Sequence, residues 1–196
     1  MELQGQIQLS SKRCELMRKT LEKYKCKNVV EIGTWKGMGS TLCIIKSLSP
    51  NSNFITLESN KSFYDAAKSN LELYQDKLNM IYGSIVSIDE ITDFASDLNL
   101  DEEKRSWLYE DLQNIKLCPN VLNDIFDNID FLLLDGGEFS TYKEWEKLKK
   151  RTSIVALDDV TEIKTNKIYN ELSKDINYEL VGYVEEGNGF CIFIKK

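Results

Sequence analysis

The chain has 196 residues, 42% of them hydrophobic, which suits one globular domain with a sizeable core. Its net charge of −7 argues against a nucleic-acid partner, and the densest basic cluster, Lys147, Lys149, Lys150 and Arg151, reads as cations closing a helix. There is no histidine, so Ser-His-Asp and Cys-His nucleophile systems, His-ligated zinc and imidazole bases are excluded.

Acid–base chemistry is thereby left to carboxylates, Lys, Tyr or Cys, and any metal should be a hard, oxygen-loving ion. No apolar run approaches a membrane span, and the first nine residues lack the apolar block of a signal peptide, so no membrane partner and a cytoplasmic location are expected. The five cysteines, Cys14, Cys26, Cys43, Cys118 and Cys191, are odd in number and scattered, and are expected to be reduced.

Residues 8–25 place Leu9, Leu16, Met17, Leu21 and Tyr24 on one stripe, predicting a cover helix within an N-terminal region 1–26. Short apolar runs then predict strands at 28–32, 53–57, 78–82, 129–134 and 153–157, near-continuous as for a parallel sheet covered on both faces. Helices are predicted between them at 40–48 and 60–73, and from Thr141, where Thr141 and Glu144 have capping-box spacing. The stretch 86–127 contains no predicted strand; two helices, 88–98 and 101–117, make it a helical insertion placed to act as a lid or as extra cover. Segments 178–184 and 190–194 flank Glu185-Glu-Gly-Asn-Gly189 and predict an antiparallel hairpin. The alternation argues for a single doubly wound α/β domain over 1–196.

The first strand carries Glu31 and breaks at Gly33, after which Gly37 and Gly39 lead into Ser40 and an apolar helix. Strand, glycine-rich turn and helix N-terminus together let backbone pass close under a ligand's polar end. The third glycine of the dinucleotide G-x-G-x-x-G fingerprint is missing, which weakens a nicotinamide reading. Glu58 ends the second strand, where an acid accepts hydrogen bonds from ribose hydroxyls. After the third strand, Ser84 is placed to bond a base and Ile85 to pack on it. Asp135 and Glu138 follow the fourth strand and Asp158-Asp159 the fifth, so the four acids converge at the carboxyl ends of a parallel sheet. Such a group either surrounds a cation, shares a proton or caps the following helices.

Val-Val-Glu31-Ile-Gly33-Thr-x-x-Gly37, Glu58 and the terminal hairpin resemble a class I S-adenosylmethionine-dependent methyltransferase, over nearly the whole chain from Lys27. The resemblance implies a mostly parallel seven-stranded sheet of order 3-2-1-4-5-7-6. It also implies S-adenosylmethionine contacts from Glu31, Gly33, Thr34, Gly37, Ser40, Glu58, Ser59, Ser84, Ile85 and Asp135. A narrower branch, small metal-assisted sugar O-methyltransferases, is marked by D-G-D after the fourth strand and D-D after the fifth. Here the second pattern is intact and the first reads Asp135-Gly136-Gly137-Glu138, with glycine in place of the second acid. The branch implies Mg2+ on Asp135, Asp158 and Asp159 and a small hydroxylated acceptor such as a sugar; Glu138 is the candidate proton acceptor, with Tyr142 and Lys164 behind it, and Asp135 the second catalytic residue. Gly137 keeps a catalytically silent, cofactor-binding protein in view, and the nicotinamide-dependent oxidoreductase stands third. A homo-oligomer is compatible with all three.

Overall fold

The computed structural model describes residues 7–196. The part of the predicted N-terminal region before Ile7 lies outside them. Seven strands form one sheet in the order β3-β2-β1-β4-β5-β7-β6. They are β1 (Asn28–Ile32), β2 (Asn53–Glu58), β3 (Asn79–Tyr82), β4 (Ile129–Leu134), β5 (Thr152–Asp158), β6 (Tyr178–Val184) and β7 (Phe190–Lys195). β1 to β5 pair in parallel, while β7 runs antiparallel to both β5 and β6. Val29, Val30, Leu132, Leu133, Val155 and Ala156 are fully buried, as central strands covered on both faces require.

Seven α-helices cover the faces: α1 (Lys12–Tyr24), α2 (Ser40–Ser47), α3 (Lys61–Asn70), α4 (Ile88–Ser96), α5 (Glu102–Leu117), α6 (Thr141–Leu148) and α7 (Ile163–Leu172). Among the described residues, no helix is long and apolar enough to cross a membrane. Connections within the parallel part put helices on both sides, and two apolar clusters result. One packs α4 to α7 against the sheet through Phe139, Trp145 and Ile168; the other packs α1 and α2 through Met17 and Ile44.

Several local expectations are corrected. α1 starts at Lys12 because Ser11 caps it, accepting from the Cys14 N–H, which leaves Leu9 outside the helix and exposed. The predicted helix at 60–73 tightens into a 3-10 segment from Glu72 to Lys77. The capping box at Thr141 does not form: Thr141 is already helical and donates its hydroxyl to the Gly137 carbonyl, and Glu144 turns inward. The capping box that does form is Ser87 with Glu90, at the start of α4.

The cysteine expectation is also overturned. α1 lies on α2 with the Cys14 and Cys43 Cα atoms 5.8 Å apart, within bridging range, and the two are joined by a disulfide. Cys26 and Cys191 are buried free thiols, and Cys118 is half-buried.

Candidate active site

The sheet order reverses between β1 and β4, whose following connections leave in opposite directions. In doubly wound sheets a crevice opens at this point, beyond the carboxyl ends of the strands. The backbone keeps it tight. Gly33 N–H and Thr34 N–H both reach the Leu57 carbonyl, and Asp135 N–H reaches the Ile32 carbonyl. Gly33 has φ +100°, and a Cβ there would lie 2.0 Å from the Asp135 carbonyl oxygen, so only glycine fits.

Two cavities meet here, sharing Gly33, Trp35 and Asp135. The first, about 260 Å³, is walled by Glu58, Ser59, Asn60, Phe63, Ser84 and Glu144, with Glu110, Asp111 and Asn114 of α5 on its far side. The helical insertion thus forms part of this cavity's wall. The second, about 230 Å³, is lined by Ile7, Thr34, Gly39, Ser40, Asp158 and Asp159.

Glu58 ends β2 buried, its carboxylate accepting the Trp35 N–H at 2.7 Å and the Asn60 N–H at 2.8 Å. Trp35 makes that bond from a left-handed backbone, φ +49°, an uncommon conformation for a bulky residue. Burial raises Glu58 to about 7 despite these N–H donors.

Glu31 is fully buried beneath the glycine turn. Its Oε2 accepts the Thr41 and Thr56 hydroxyls at 2.7 and 2.6 Å, while Oε1 has no partner among the described residues. Burial pushes it to about 7. Glu31 lines neither cavity and holds the turn from below. Gly37 also faces away, toward the Leu71 side chain of the α3 end. The Ser84 hydroxyl is engaged within its own turn, with Val86. Ile85 corrects the expectation of a base-packing residue: the backbone bridge between Ser84 and Asn120 turns its side chain into the core, fully buried.

Asp135, Asp158 and Asp159 come together, with one carboxylate oxygen from each lying within 4.8 Å of the others. None caps α7, whose N-cap is Glu162. Two internal cations already engage the group. Lys164 Nζ bridges Asp135 at 2.7 Å and Asp159 at 2.9 Å, and Arg13 from α1 holds Asp158 at 2.6 Å. Burial lowers Lys164, but Asp135, Asp159 and Asp158 outweigh it and hold the ammonium well above its ordinary range. Burial and the neighbouring acids raise Asp158, and burial outweighs Lys164 in raising Asp135. Counted as ionised, three carboxylates against one ammonium and one guanidinium leave one negative charge. Asp159 Oδ1 has no hydrogen-bond partner among the described residues.

Glu138 lines neither cavity; its Oε1 accepts the Lys164 N–H at 3.3 Å, and burial raises its carboxyl. Tyr142 OH donates to Glu171 at 2.9 Å, away from the aspartates. Sequence reasoning missed Arg13, Asp111 and Glu144. Asp111 Oδ2 accepts the Phe139 N–H at 2.8 Å, and its Oδ1 would lie 2.5 Å from a Cβ at Gly137. Burial raises Asp111 to about 6. The sole signal for it was the long helical insertion.

No protein-family model matches the sequence, and no curated protein does. Solved structures share the fold. An O-methyltransferase from Bacillus cereus in complex with SAH is 16% identical, with TM-score 0.66 over 98% of this chain and 84% of that one. The tomaymycin-synthesis O-methyltransferase of Streptomyces achromogenes, in complex with SAM, is 14% identical, with TM-score 0.63 over 95% and 81%. The SAH-bound methyltransferase of Podospora anserina is 15% identical, with TM-score 0.63 over 96% and 80%. The seven-stranded architecture is that of solved O-methyltransferases.

Proposed function

We propose that the chain transfers the methyl group of S-adenosylmethionine to an oxygen of a small hydroxylated acceptor, a saccharide hydroxyl in the first instance. The observation that carries this reading is the pair of joined cavities at the switch point. One is headed by Glu58, an acid at the end of β2 suited to ribose hydroxyls; the other is floored by three aspartates. Asp135, common to both cavities, sits where donor and acceptor would meet.

In this reaction the acceptor oxygen attacks the methyl carbon in line, the carbon–sulfur bond breaks, and sulfur keeps the electron pair to leave S-adenosylhomocysteine. The protein's contribution is alignment and removal of the hydroxyl proton. Without a metal, Asp135 is assigned as the proton acceptor; where Asp135 would hold a metal, that role falls to Glu138, anchored at the start of α7.

The aspartate set suits a hard divalent cation by its oxygen donors, their mutual distances and Asp159 Oδ1, which faces Arg13 at 4.0 Å but accepts no hydrogen bond among the described residues. Asp135, Asp158 and Asp159 would hold Mg2+, whose contribution when bound is Lewis acidity toward the acceptor hydroxyl. Lys164 would yield its contacts to Asp135 and Asp159.

The silent-protein alternative rested on Gly137. The Asp111 carboxyl lies beside that glycine, so the position is not without an acid, and this favours the active reading. The test is transfer of labelled methyl from S-adenosylmethionine to a panel of hydroxylated saccharides, with and without a chelator, in wild type and Asp159→Asn. Transfer lost in both arms supports the metal-assisted form. Full transfer in both rules it out, and cofactor binding with no transfer to any acceptor supports the silent form.

A further inference from the structure

Lys164 enters the acid group by way of a short, self-bonded loop. Asp159 leaves β5 in a left-handed conformation, φ +54°, and its carbonyl accepts the Glu162 N–H at 2.9 Å. The Thr165 hydroxyl reaches back to the Asp158 and Asp159 carbonyls, at 2.8 and 3.0 Å. The first turn of α7 is thereby folded over the end of β5. Lys164, its second residue, is laid against the aspartates with its side chain 9% exposed.

Its ammonium bonds Asp135, just past β4, and Asp159, just past β5, so one cation joins two strand ends. A buried lysine is tolerated where carboxylates answer its charge. These two carboxylates are also two of the three assigned above to a divalent ion. Mg2+ and an ammonium both draw on carboxylate oxygens, and like charges a few ångströms apart repel, so the two do not share the set without cost. The third acid, Asp158, is engaged by Arg13, which also faces Asp159 at 4.0 Å.

Every acid of the set thus meets an internal cation, and the ammonium is the one hydrogen-bonded to two of them. A displaced ammonium also has somewhere to go. Glu138 and Asp111 both lie within electrostatic reach of Lys164, and neither belongs to the set.

Given the metal reading above, we propose that Lys164 sets the divalent-ion affinity of this site. Its ammonium is a tethered counter-ion that competes with Mg2+ for Asp135 and Asp159, so metal is taken up by exchange rather than into a free seat. Until metal arrives, the same ammonium keeps the two strand ends paired.

The experiment is calorimetric titration of Mn2+ into wild type, Lys164→Met, Lys164→Gln and Lys164→Arg, with a thermal melt of each protein to establish that it folds. Lys164→Met and Lys164→Gln remove the charge and should bind Mn2+ at least about tenfold more tightly than wild type. That is a modest share of what a unit charge exerts on a divalent ion a few ångströms away. Lys164→Arg keeps the charge and should stay near wild type; a gain as large as that of the neutral variants would overturn the proposal. Should Lys164→Met not fold, Lys164→Gln, which keeps an N–H donor among the acids, carries the comparison. Asp159→Asn added to either neutral variant should take back the gain, which places the ion in the aspartate set. Folded neutral variants that bind no more tightly than wild type overturn the proposal and leave the metal reading standing, and a gain that survives Asp159→Asn overturns it too. If neither wild type nor any neutral variant binds Mn2+, the metal reading itself fails and takes this proposal with it.

Discussion

Replacing Arg13 by methionine keeps much of the side chain's apolar stem and removes the guanidinium that holds Asp158 Oδ1 at 2.6 Å. The two side chains are 4% and 3% exposed, so the loss leaves a buried acid with its nearest cation gone. Breaking one partner out of a buried pair costs about 3–5 kcal/mol. Asp158 is already raised by burial and by Asp135, and losing Arg13 raises it further. A carboxyl raised in the native state binds its proton more tightly there than in the unfolded chain. Its contribution is therefore most favourable below the ordinary carboxylate range, and stability falls as pH rises toward the native pKa. The deficit of Arg13→Met should accordingly be small near pH ~5 and widen only as pH passes about 8, where wild-type Asp158 ionises, so the second measurement is made near pH ~9.5. Adding Asp158→Asn removes the stranded charge, so the double variant should recover about 2 kcal/mol or more relative to additivity. Urea unfolding of wild type, both single variants and the double variant at the two pH values, with the disulfide kept oxidised, measures this. Additivity within about 0.5 kcal/mol together with a pH-independent deficit would refute the reasoning.

Three further outcomes follow from the same geometry. Glu144, raised from 4.5 to about 8, is most favourable below its unfolded value and loses stability as pH rises to about 8. At about 1.4 kcal/mol per unit, Glu144→Gln should be about 2–5 kcal/mol more stable than wild type above that pH, with the gap closing toward pH ~4 in thermal melts. Gly137→Ala places a methyl 2.5 Å from Asp111 Oδ1 and should cost about 1–3 kcal/mol, much of it restored by Asp111→Ala, as read by denaturant midpoints. Reducing the Cys14–Cys43 bridge opens a loop of 29-residue separation and should cost about 3–4 kcal/mol, checked by melts with and without reductant.

Much of the fold was legible because its signals are local. Short apolar runs ending at Gly33, Glu58 and Asp135 located the strands to within a residue at most ends, and the turn glycines before Phe190 announced the antiparallel pair. Glu58 and the three aspartates were legible because strand ends in a parallel sheet share one edge. What escaped depended on packing. Cys14 and Cys43 are 29 residues apart and meet only because α1 lies on α2. Arg13 reaches Asp158 across 145 residues. Thr141 and Glu144 have the spacing of a cap, yet the chain enters α6 already helical, which frees Glu144 to face the cavity. Ile85 reads as a residue packing on a bound base until the pairing of Ser84 with Asn120 fixes which way it points.

α1 has a standing that its amphipathic sequence does not suggest. Consecutive residues, Arg13 and Cys14, fasten it to opposite sides of the switch point: one to the acid pair at the end of β5, the other to the helix that follows the glycine turn. Neither anchor can shift by more than a residue's length without carrying its neighbour. The aspartate group and the glycine turn are thus held at a common spacing by a segment that belongs to neither, as two walls are by a tie-rod. A chain trimmed before Asn28 would keep all seven strands, the turn and every aspartate. It would still lack the gauge that sets the distance between them.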